Sequence, residues 1–129
     1  RVFCFARVRI LPVKICTLTK GVRMNEHCII YITAGSKEEA DKLSRGLVEE
    51  KLAFCVNAVP GIQSTYQWEG KIHVDDEILL IVKTRQDRYE TLEQWVKQNH
   101  SYDVPEIISL PIQKGLPEYI QAIDDWVAH

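Results

Sequence analysis

The sequence predicts an α+β fold in which helices gather on one face of a mixed sheet, and three observations predict it. The first is the central stretch 52–84, which reads as three consecutive strands with two different turns. The second is a set of helical periodicities before and after that stretch, each adjoining a β-rich run. The third is the order of the runs. Counting the hairpin arms as the middle pair, it is β, α, β, β, α, β, α, the split βαβ arrangement with one helix added at the C-terminal end.

Each element has its own local cause. Residues 28–33 are β-branched and apolar and read as the first strand. Ser36 followed by Glu39 has the form of a capping box: the serine accepts from the glutamate's N–H while the glutamate side chain reaches back. In the helix that follows, Ala40, Leu43, Leu47 and Val48 turn inward while Asp41, Lys42, Arg45 and Glu49 stay in water. Residues 54–59 form a short β-rich run ended by Pro60-Gly61, whose fixed and permissive φ suit a sharp change of direction. Residues 64–68 and 71–82 flank Glu69-Gly70, the spacing of a tight hairpin with glycine at positive φ. Thr84 or Asp87 then caps a second helix that turns Tyr89, Leu92 and Val96 inward and runs to about Asn99. Residues 106–112 are the fourth strand. Gly115 with Pro117 opens a final helix bearing Tyr119 or Ile120, Ile123 and Val127.

The strands are apolar on both sides. Ile29, Ile30 and Ile32, the five apolar residues 78–82, and Ile107, Ile108 and Leu110 supply both faces of the sheet, yet the helices cover only one. Partner subunits are the economical cover, because burial of apolar area stabilises by about 25 cal/mol per Å² and a bare face of this size aggregates. Tyr66 and Trp68, two residues apart, share one face of the hairpin arm and are expected at a subunit junction or cleft, together with Tyr102.

At 129 residues and 46% apolar, the chain fits one domain with a true core. The formal charge of −2 hides a division. Residues 1–23 hold six of the sixteen basic side chains and no acid, which leaves ten basic against eighteen acidic side chains in residues 24–129. An acidic domain without clustered lysine or arginine is not a nucleic-acid groove. The basic leader, residues 1–23, reads as a targeting segment or a disordered tail before a domain spanning 24–129. Arginine and lysine interrupt its apolar runs, none of which approaches the roughly 20 residues needed to span a bilayer, so no stable membrane insertion is expected. A cytoplasmic protein is the expectation, with an organelle or secretory route left open by the leader. Cys4, Cys16, Cys28 and Cys55 show no metal-site spacing and are expected to be reduced thiols.

Cys55-Val56-Asn57, Pro60-Gly61-Ile62, Trp68-Glu69-Gly70-Lys71-Ile72, His100-Ser101-Tyr102, Pro105-Glu106-Ile107 and Leu110-Pro111-Ile112 strongly resemble the CutA family of divalent-cation tolerance proteins, in order and without an internal gap. The resemblance covers about residues 28–127. It implies a ferredoxin-like βαββαβ subunit assembled as a homotrimer, copper binding in some members and no settled enzymatic activity. The copper site proposed for the family uses a cysteine late in the first strand, a histidine in the loop before the fourth strand and a glutamate after a proline. Aligned here, those positions are Ile32, Asn99 and Glu106, so only the glutamate matches.

His100 and Glu106 are nevertheless the candidate metal ligands, since a neutral imidazole and a carboxylate in one loop suit copper or zinc. His27, His73 and His129 are expected at the surface or in the hairpin, and Asp75-Asp76-Glu77 is a solvated acid run that attracts divalent cations loosely. No nucleophile, base and acid stand at motif spacing and no phosphate loop is present, so no catalytic residue and no required cofactor is assigned. The expected function is a non-enzymatic homotrimer linked to copper or other divalent-metal tolerance, or to scaffolding of partner proteins. The alternative is a small-ligand sensor, similar to the PII-like regulators, that binds in inter-subunit clefts; the short Glu69-Gly70 turn favours the first.

Overall fold

The computed structural model describes residues 26–128; the basic leader, Met24, Cys4, Cys16 and His129 lie outside the described residues. The elements are β1 (His27–Ala34), α1 (Lys37–Glu49), β2 (Cys55–Trp68), β3 (Lys71–Arg85), a 3-10 turn (Gln86–Arg88), α2 (Tyr89–Asn99), β4 (Ile107–Pro111) and α3 (Pro117–Trp126). The four strands form one sheet in the order β2-β3-β1-β4. Every neighbouring pair is antiparallel, in place of the expected mixed sheet. The reason is the split βαβ unit: β1 and β2 run in the same direction, and β3 inserts between them. This is the ferredoxin-like topology, with α3 added.

Alternation along β1 sends Cys28, Ile30, Ile32 and Ala34 to the helix side, where each is fully buried. Their partners Thr84, Val82, Leu80 and Ile78 on β3 share that side. Ala40, Leu43 and Leu47 of α1 and Leu92 and Val96 of α2 close the core against them. Each large aliphatic so buried stabilises by about 1.5–3 kcal/mol. The opposite face carries Ile29 and Tyr31 of β1, Leu79 and Ile81 of β3, and Ile108 and Leu110 of β4. α3 covers only one end of it, where Asp124 meets His27 at 2.7 Å and Arg85 at 3.7 Å, so the helices do not all lie on one side as expected. The rest is open, and Ile108 and Leu110 remain 50% and 40% exposed.

Two turn assignments change. Pro60-Gly61 is not a turn; it lies inside β2, where the pairing with β3 shifts register between Val59 and Ile62. The three expected strands are therefore two. β2 is an edge strand, so the missing proline N–H costs no ladder bond, and Gly61 at φ 78° supplies the bulge. The hairpin turn holds both Glu69 (φ 51°) and Gly70 (φ 77°) left-handed, so the glutamate, and not the glycine alone, adopts the mirror conformation that matches strand twist.

The helix starts divide in the same way. Ser36 Oγ accepts from Glu39 N–H at 3.2 Å, as the capping box predicts. The glutamate side chain does not close the box; it accepts from Ser101 N–H at 2.9 Å and ties α1 to the loop after α2. Neither Thr84 nor Asp87 caps α2, whose N-cap is Arg88 without a side-chain bond. Thr84 is buried in β3 and donates to the Leu52 carbonyl at 2.6 Å, and Asp87 pairs with Arg85 at 2.6 Å. His27 is not a surface residue either: it is 8% exposed, with Nε2 2.7 Å from Asp124 of α3.

Candidate functional site

The hairpin formed by β2 and β3 outruns the helices and stands beside the loop 100–106, and between them lies a cleft of about 850 Å³. Strand alternation builds one wall. Tyr66 opposes His73, and Ser64 opposes Asp75, so Trp68, Tyr66, Asp75 and Glu77 share the side that faces the loop. Asp76, between two cleft residues, points away. The acid run is thus sorted by the pleat and is not uniformly solvated. Glu77 is only 8% exposed.

Hydrogen bonds fix the loop. His100 is buried; its Nε2 donates to the Thr33 carbonyl at 2.8 Å, and its Nδ1 accepts from Tyr102 N–H at 3.0 Å. The Tyr102 ring tilts against the imidazole at 4.7 Å between centroids, and its hydroxyl donates to Glu77 at 3.0 Å. Burial first, then that bond to Glu77, pushes the Tyr102 phenol up to about 12. On the other wall the Tyr66 hydroxyl donates to Asp75 at 2.5 Å, which raises that phenol as well. Glu106 lines the rim; burial and then the Glu77 charge raise its carboxyl above the usual range.

The residues predicted for the site are therefore brought to one place only in part. Tyr66, Trp68, Tyr102 and Glu106 all line the cleft. His100 lies behind it, with both ring nitrogens engaged, so a cation there must displace one of these bonds. Ile32 is in the core and the Asn99 amide donates to the Trp95 carbonyl at 2.8 Å. Among the described residues no three His, Cys, Asp or Glu side chains converge on a point that could hold a metal ion. The residues present do not fit a resident copper ion. Cys28 adds nothing here, since burial, with Asp87, pushes its thiol up to about 11 and keeps it protonated. Cys28 and Cys55 are free thiols.

The sequence reading misses Glu39, Asp103 and Thr33 as neighbours of the site. Glu39 shows no signal beyond its capping position. Asp75 and Glu77 are legible as an i, i+2 pair on the same face as Tyr66 only when the hairpin register is traced outward from Glu69-Gly70.

A ferredoxin-like subunit with one bare apolar sheet face, an overlong hairpin and an acidic, aromatic cleft defines a class of small α+β proteins built around the sheet and hairpin. Residues 28–127 match the model of the CutA1 divalent ion tolerance protein family. The chain belongs to that family. It is 52% identical over 109 residues to the chloroplastic protein CutA of Arabidopsis thaliana, a match covering 80% of this chain and 60% of that one. It is 46% identical over 101 residues to the divalent-cation tolerance protein CutA of Archaeoglobus fulgidus, covering 78% of this chain and 98% of that one. Among solved structures it resembles the divalent cation tolerance protein of Thermus thermophilus, with TM-score 0.78, 42% identity, and coverage of 79% of this chain and 99% of that one. CutA1 from Oryza sativa gives TM-score 0.78 at 44% identity, with coverage of 81% and 96%. The chain spans 52% to 64% of the length of the Arabidopsis, rice and Xenopus relatives. Among the described residues no helix is long and apolar enough to cross a membrane.

Proposed function

We propose that this protein is a non-enzymatic homotrimer that serves divalent-cation tolerance, the role for which its family is named. The observation that carries the assembly is the bare sheet face, with Ile108 and Leu110 half exposed beside a hairpin that displays Trp68 and Tyr66 at 46% and 41% exposure. Three-fold closure covers such a face and protects the outer edges of β2 and β4, which are otherwise open to aggregation. Contact with copper or another divalent cation is weak in this reading and rests on Glu106, with His100 joining only when it gives up a hydrogen bond. Scaffolding of a partner protein is compatible with the same assembly. Two plant relatives are named chloroplastic, and an organelle route for this protein is testable by fusing residues 1–23 to a fluorescent reporter.

Light scattering on the purified chain tests the assembly: a stable monomer at micromolar concentration overturns it. Calorimetric titration of copper and zinc at neutral pH, on wild type and Glu106→Gln, tests the metal reading. Tight stoichiometric binding that survives the substitution defeats it.

A further inference from the structure

We draw no further inference here: the strongest candidate, the Glu39 Oε1 oxygen buried without a hydrogen-bond partner between α1 and the loop after α2, 3.7 Å from His100 Nδ1, belongs to the site already described.

Discussion

Tyr102 donates its hydroxyl to Glu77 across 3.0 Å, and this bond fastens the loop after α2 to the middle of β3. Its consequence reaches β1 as well, because a Cβ on Gly35 would lie 2.6 Å from the same hydroxyl. Tyr102→Phe should leave Glu77 buried without its donor and cost about 1–3 kcal/mol. Urea denaturation measures it. Gly35→Ala should cost a similar amount by forcing the phenol off the glutamate, and the two substitutions together should cost less than their sum, since they break the same contact. Full additivity would show that Gly35 acts elsewhere.

Glu39 gives the protein an acid-sensitive joint. Burial works to raise its carboxyl, but the Ser101 bonds outweigh it, with help from His100 and the Gly35 N–H, and hold it below the usual carboxylate range. A depressed folded value means the stabilisation is complete above the unfolded carboxylate pKa, about 4.3, and is lost as pH falls through the lower folded value. Wild type should therefore lose more stability than Glu39→Gln between about pH 5 and the acid limb. Denaturation midpoints across that range check it, and parallel losses in both proteins refute it.

Gly46 is a packing requirement that no pattern in the sequence announces. A Cβ there would sit 2.4 Å from Trp95 Cη2, so α1 and α2 approach as closely as they do only because position 46 has no side chain. Gly46→Ala improves helix propensity by about 1 kcal/mol, yet it should destabilise by about 1–3 kcal/mol net through overpacking. Gly46→Ala in a Trp95→Leu background should recover most of the loss; thermal melts of the three variants decide it.

These contacts mark the limit of what the sequence made legible. The β-branched run of β1, the Ser36 cap and the Ala40, Leu43, Leu47 spacing are local signals, and the elements they predict are present. Pro60-Gly61 misleads because the same dipeptide serves a turn or an edge-strand bulge, and the choice is made by the strand that pairs with it. Thr84 has the chemistry of a cap but sits where β3 continues, so its hydroxyl turns to Leu52 instead. Tyr66, Trp68, Tyr102 and Glu106 are legible, since aromatics on an arm and an acid after a proline stand out. His100 is legible as a residue, but its buried bonds to Thr33 and Tyr102 depend on tertiary distances that spacing does not carry.

Trp68 bears the heaviest demand of the assembly. It lies two residues from Tyr66 on the part of the hairpin that outruns the helices, and nearly half of its surface is open in a single subunit. Large aromatics at the centre of an interface commonly carry a disproportionate share of its energy. If neighbouring subunits cover this arm, Trp68→Ala should weaken association by roughly 2 kcal/mol or more per contact and lower the melting temperature in a concentration-dependent way. A dilution series followed by light scattering separates this from a local effect, because loss of an interface moves the dissociation midpoint while loss of a cleft wall does not. A variant that keeps both its assembly and its melting temperature would confine Trp68 to the cleft and assign the interface to the bare sheet face around Ile108 and Leu110.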